Sequence, residues 1–372
     1  MSDVSVTSAA LSGFAKDLAD VGRTMLTNVS KISSGIALPG GTSGTLATLT
    51  PALQGFQDRM TALGRQNHDK IQGFGTDLNT TVQGFQQLDT AWARAVTSAG
   101  SSLSLPSLPG TVRDIVRFTG MQSLDLPQID VGNLTLKTTV SGAHDIISIF
   151  DDRLSRSIGI KPAEQYLAPL IGDWENLQTI GQRIWQLSIS DSVTAGNLHS
   201  GSQWLTSHWT GAAADSYATA MNTLQTAISG RGTDLDTVAK TLRKGGECLE
   251  RLVYNQAVGL ASGLMEPLNL LGFSLPVGAW AQVVDRRMSS AVKDQITAKI
   301  NTIRAIADTR NASITDLMDH IRKALAYEPG TAVTQPTGDL FEPQSKVVAD
   351  LGTLRYGYKN NVWWESSLAS AF

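Results

Sequence analysis

The residue types that usually carry catalysis are few in this chain and poorly spaced for it. The five histidines, His68, His144, His199, His208 and His320, are scattered. None falls in the H-E-x-x-H spacing that places two imidazoles on one helix face around a zinc ion. Cys248 is the only cysteine, so there is neither a Cys/His cluster nor an intramolecular disulfide. Beside Leu249 it reads as a small buried residue rather than a nucleophile. No G-x-S-x-G, Walker loop or strand-following G-x-G-x-x-G is present. Gly230-Arg231-Gly232 is too short to cradle a phosphate, and Asp151-Asp152 reads as a solvated helix face. The residues therefore predict a protein that is not an enzyme, with no catalytic residues, no metal site and no cofactor.

One stretch does combine residue types in a physically specific way. Ser207-His208-Trp209-Thr210-Gly211-Ala212-Ala213-Ala214-Asp215-Ser216-Tyr217 has an apolar, helix-like segment on each side. Gly211 turns the backbone without a Cβ penalty, and the alanine run restarts a helix at low entropic cost. Trp209 either covers the tip of the resulting hairpin or presents an aromatic plug to a partner. His208 reads as a tip residue rather than a ligand.

The elements that must position this bend are helices. Leu11, Phe14, Leu18, Val21, Met25, Val29 and Ile32 recur at steps of three and four and predict a first helix over 3–36. Pro39, Gly40 and Gly41 break it. A longer helix to about Ser98 follows, striped by Leu53, Phe56, Met60, Leu63, Ile71, Phe74, Leu78, Phe85, Leu88 and Trp92. Residues 99–162 read as a linker with short elements. Pro106, Pro109 and Gly110 are breakers, Leu134–Val140 alternates as a short strand or extended segment, and His144–Ile158 fits one more helix.

The helical pattern returns from Ala163 to about Trp209. After the bend it resumes through Tyr217, Met221, Leu224, Ile228, Leu235, Val238, Leu242, Leu249 and Leu252, interrupted at Arg231 and Gly245. Residues 254–284 hold one charge, Glu266. Pro267 and Pro276 divide them too finely for a spanning helix, which favours a buried helix-turn segment over a membrane span. Residues 285–325 are amphipathic. The tail from Glu328 reads as loosely ordered, its Trp363, Trp364 and Phe372 forming a docking peptide or covering a groove.

Composition sets outer bounds. A net charge of −3 with 17% charged residues gives no electrostatic footprint for nucleic acid. The first residues lack the basic and apolar regions of a Sec or Tat signal peptide, so export, if it occurs, is expected by another route. Sparse aromatics, 6%, with abundant Gly and Ala suit closely packed helices rather than a β-sandwich.

The W-x-G-x-A-A-x-x-Y pattern at Trp209, Gly211 and Tyr217 resembles the WXG-motif family, the helical-hairpin substrates of the type VII (Esx) secretion system of actinobacteria. Phe85-Gln-Gln-Leu-Asp89-Thr-Ala-Trp92 resembles a degenerate Y-x-x-x-[DE] export signal of the EspC-like substrates, with Phe85 in place of Tyr. The plain alternative is that Phe85, Leu88 and Trp92 are core and Asp89 is solvated. The second hairpin, with its following apolar stretch, resembles EspA-like substrates.

The resemblance implies an all-α fold: two long antiparallel hairpins packed as a four-helix bundle, extra C-terminal helices and a loose tail. The expected divisions are 1–98, 99–162, 163–252, 253–327 and 328–372. In family pairs such as the PE and PPE proteins, the WxG bend of one partner and the export signal of the other lie at one end of a four-helix bundle. Here one chain supplies both, and Trp209 and Asp89 are expected to be needed for export but not for the fold.

The implied function is that of a non-enzymatic substrate exported as a folded bundle to the outside or the cell surface. The implied partners are the type VII ATPase, a dedicated chaperone and other hairpin substrates. Alternatives are a scaffold pairing with other WXG-type hairpins and a membrane-active protein using 254–284.

Overall fold

The computed structural model describes residues 5–98, 115–129, 135–284 and 288–331, with 333 and 341. The breakers Pro106, Pro109 and Gly110 and the tail residues Trp363, Trp364 and Phe372 lie outside the described residues. Among those described the protein is all-α apart from one small hairpin. Its helices are α1 (Ser8–Ser33), α2 (Gly44–Ala47), α3 (Thr50–Ser98), α4 (Leu136–Ile158), α5 (Asn176–Thr206), α6 (Ala212–Met265), α7 (Val277–Val283) and α8 (Ser290–Leu325). The strands β1 (Pro267–Leu270) and β2 (Phe273–Pro276) pair antiparallel, Leu268 opposite Leu275 and Leu270 opposite Phe273.

The apolar stripes become buried faces. All seven stripe residues of α1 are buried, as is the full series from Tyr217 to Leu252 on α6. Of Leu134–Val140, Leu134 lies outside the described residues, and the rest departs from the alternating reading. Leu136, Val140, Ala143, Ile147, Phe150 and Leu154 form one 4-3 seam, so the segment opens α4 instead of extending. The 254–284 stretch also departs from a buried helix-turn. Its first third completes α6, and the hairpin that follows exposes Leu271 and Phe273.

The chain folds into two compact units, each drawn from three separate stretches rather than from the sequential divisions expected. Helices α3, α5 and α6 contribute residues to both.

Unit 1 comprises residues 1–35, 57–127 and 185–236. Leu11, Phe14 and Met25 of α1, Ile71, Leu78 and Val82 of α3, Leu198 and Leu205 of α5, and Met221 and Ile228 of α6 share one apolar cluster. That is the core of a four-helix arrangement. Residues 115–127, within the stretch expected to be a linker, are laid as a strap on this unit. Phe118 N–H donates to Asp17 Oδ2 (2.9 Å), Arg117 Nε to Asp17 Oδ1 (2.6 Å) and Gln122 N–H to Asn197 Oδ1 (2.8 Å). Gly13 permits the strap's approach, since a Cβ there would sit 1.8 Å from the Val116 carbonyl oxygen.

Arg231, which interrupts the α6 rhythm in sequence, is buried. Its Nε and Nη2 each donate at 2.7 Å to the two oxygens of Asp191 on α5. With its carboxamide oxygen turned toward Arg231, Asn67 of α3 accepts from Nη1 and Nη2 at 2.5 and 3.0 Å. Burial pushes the Asp191 carboxyl upward while the guanidinium pulls it down.

Unit 2 comprises residues 36–56, 128–184 and 237–372. Two buried carboxylates organise its turns. Glu175 Oε1 accepts from the N–H groups of Thr135 (3.0 Å) and Leu136 (2.9 Å), capping α4 across sequence. Asp151 accepts from the N–H groups of Ala163 (3.0 Å) and Glu164 (2.9 Å). Asp151 is thus an interior cap rather than half of a solvated pair. Asp152 alone faces solvent.

Removing one partner of a buried ion pair strands the other charge, so Asp191→Ala is expected to lose about 3–5 kcal/mol of stability. The double change Asp191→Ala with Arg231→Met is expected to recover most of it. Urea unfolding of the three proteins checks both; equal losses in the single and double variants would show that the stranded charge is not the cause.

Candidate partner interface

The bend between α5 and α6 lies wholly in unit 1. The last turn of α5 closes with His208 N–H and Trp209 N–H both donating to the Leu205 carbonyl, at 2.9 and 3.0 Å. Two residues on, the Gly211 carbonyl accepts from Asp215 N–H (3.0 Å) and opens α6. Gly211 has φ +109°, a backbone that side-chain-bearing residues rarely adopt. The W-x-G spacing thus spans the end of one helix and the start of the next.

A contact absent from the sequence reading secures this turn. Residues 5–7, expected to lie in the first helix, form an antiparallel bridge with it, Val6 opposite Trp209. Thr7 N–H donates to the His208 carbonyl (2.8 Å), Thr210 N–H to the Ser5 carbonyl (2.9 Å) and Ser5 N–H to Thr210 Oγ1 (3.0 Å). Helix α1 begins only after this strap. The three residues Ser-Val-Thr carry too short a pattern to distinguish a strand from a helix start.

Trp209 is 5% exposed and lies in the unit's core. Its ring meets Tyr217 at a centroid distance of 5.5 Å, and Tyr217 meets Phe74 of α3 edge-on at 5.3 Å. The Tyr217 hydroxyl is buried with no hydrogen-bond partner among the described residues. Burial, reinforced by the charge of Asp77, holds its phenol well above the usual range. On the other side of the turn, Trp204 stacks against His208 at 4.4 Å and contacts Phe14 and Phe118. His208 is accordingly a packed tip residue.

Helix α3 reaches this site through Ile71, Leu78 and Val82, which share the core of Trp209 and Tyr217. From Gln83 to Trp92 no residue is buried. Phe85 is half-buried and Asp89 is exposed. Leu88 is 57% and Trp92 68% exposed, which removes the reading of Leu88 and Trp92 as core.

The structure therefore sorts the six residues singled out in sequence. Trp209, Gly211 and Tyr217 build the bend from inside, whereas Phe85 is half-buried on α3 and outside the core that Trp209 and Tyr217 share. Asp89 and Trp92 stand on the solvated continuation of α3. Leu88 and Trp92 are the large apolar side chains that this part of α3 leaves in water.

Among the described residues, no three His, Cys, Asp or Glu side chains are grouped to hold a metal ion, and no helix is long and apolar enough to cross a membrane. Comparisons with family models, curated proteins and solved structures found no match.

The burial of Trp209 overturns the expectation that it can be removed with the fold nearly intact. Trp209→Ala is expected to cost about 3–5 kcal/mol, whereas Trp92→Ala should stay within about 0.5 kcal/mol of wild type. Guanidinium unfolding monitored by circular dichroism measures both. A Trp92 variant as unstable as the Trp209 variant would place Trp92 in a packed environment.

Proposed function

We propose that the protein is a non-enzymatic substrate of a type VII (Esx) secretion system, exported as a folded helical bundle. The observation that carries this reading is the junction of two short motifs in one unit. The W-x-G bend at Trp209 and Gly211 shares its core with the α3 turns leading to Phe85-x-x-x-Asp89. Leu88 within that stretch and Trp92 just past it remain uncovered. The bend holds the bundle together and the end of α3 is the part a secretion ATPase or chaperone would grip.

The test is secretion of the tagged full chain from an actinobacterial host with and without its type VII ATPase. Wild type is expected in the medium only when the ATPase is present. Asp89→Ala combined with Trp92→Ala should accumulate in the cytosol at normal folded levels. Retention of the wild type in every strain, or undiminished export of the double variant, would remove the proposal.

A second reading has its own observation. The β1–β2 turn places Leu271 at φ +53° and Gly272 at φ +81°, and projects Leu271 and Phe273 into solvent, Phe273 at 67% exposure. A strained, apolar hairpin tip is a feature of surfaces that enter a bilayer's interface. If the protein acts on membranes, Phe273→Asp should abolish leakage of dye from liposomes. Leakage unchanged by Phe273→Asp, or none with wild type, would count against this second role.

A further inference from the structure

Within unit 2, Arg310 of α8 occupies an interior position between buried Ala307 and Ile314. It is 6% exposed. Its Nε is buried without an acceptor, and no carboxylate pairs with it among the described residues. Burial lowers its pKa below the usual guanidinium range, and no neighbouring charge opposes that shift. A guanidinium nevertheless stays protonated at physiological pH, so it is met either by water or by an anion.

Arg310 lines a cavity of about 190 Å³ between the C-terminal part of α6 and α8. The lining mixes polar side chains, Ser262 and Thr302 among them, with an aliphatic strip of Leu260 on one helix and Ile303 and Ile306 on the other. Elsewhere on the lining, Lys299 Nζ holds the two carboxylate oxygens of Glu266 at 2.9 and 2.8 Å. That lysine is already paired, which leaves Arg310, among the described residues of the lining, as the positive charge without a carboxylate partner. One charge suits a carboxylate or phosphodiester better than a doubly charged phosphate. The guanidinium fork matches such a head group through paired hydrogen bonds. The aliphatic strip suits an apolar body attached to it.

We infer that this cavity binds the acid head of a singly charged amphiphile, the Arg310 guanidinium holding its oxyanion and Leu260, Ile303 and Ile306 packing on its apolar part. The probes are decanoate, uncharged decanol, and phosphatidylglycerol vesicles, each titrated against the full chain by calorimetry and thermal unfolding. Decanoate is expected to bind saturably and raise Tm, with decanol weaker by about tenfold or more.

Arg310→Met should raise the Tm of the unliganded protein, because it removes an unpaired buried charge, and should abolish the decanoate response. Ile306→Trp, which narrows the mouth from a partly exposed position without touching Arg310, should keep the helical spectrum and weaken decanoate by about tenfold. Vesicles that compete with decanoate would identify a lipid headgroup as the natural acid; decanoate binding untouched by vesicles would identify a soluble one. Equal affinity for decanol and decanoate, decanoate binding that survives Arg310→Met, or no saturable binding of either anionic probe would overturn the inference.

Discussion

Between Ser207 and Gly211 the chain must reverse direction and still leave two helices facing each other in a defined register. Leu205 accepts the amides of His208 and Trp209 just past the end of α5, and Gly211 supplies the positive φ from which α6 departs. Within unit 1, contacts between the two helices then fall at nearly equal separations along the chain on either side of Gly211: His199 meets Gln225 and Asp191 meets Arg231. A slip of one residue rotates a helical side chain by about 100°. Asp191 would then be buried without its guanidinium. The turn and the ion pair thus depend on each other.

The aromatic residues divide the work. Trp209 and Tyr217 spend their surface inside unit 1, where they fill the volume enclosed by the reversal. Trp92 contributes nothing of that kind. The α3 helix runs on past Val82 with no buried residue as far as Trp92, although helices of modest length draw most of their stability from packing.

How much of this is readable in sequence depends on how local each signal is. The faces of α1 and α6 were legible because apolar residues recur every three or four positions for many turns. The start of α4 was not, since Leu134, Leu136 and Val140 alone fit two periods and only the full run to Leu154 settles on one. The β1–β2 turn lacks its usual Asn-Gly or Asp-Gly signal, placing Leu271 where φ is positive. The interior carboxylates Asp151, Glu175 and Asp191 look like surface residues because their partners lie 12 to 40 positions away. At the candidate interface, the Trp209-Gly211 turn was evident from residue type and spacing. Its strap was not, being too short to carry a period.

That strap has a bearing on how the protein is made. Ser5 bonds to Thr210 across 205 positions of chain. A ribosome emits the N-terminus first, so α1 and most of α3 leave the exit tunnel long before the segment that completes their core has been translated. Contacts of such wide separation close late and slowly. In the interval, Leu11, Phe14, Ile71 and Leu78 have no α5 or α6 to cover them, and apolar surface exposed in this way favours association with other chains. The order of synthesis therefore opens a period, ended only when the Trp209 turn emerges, in which the two leading helices must be shielded or must wait.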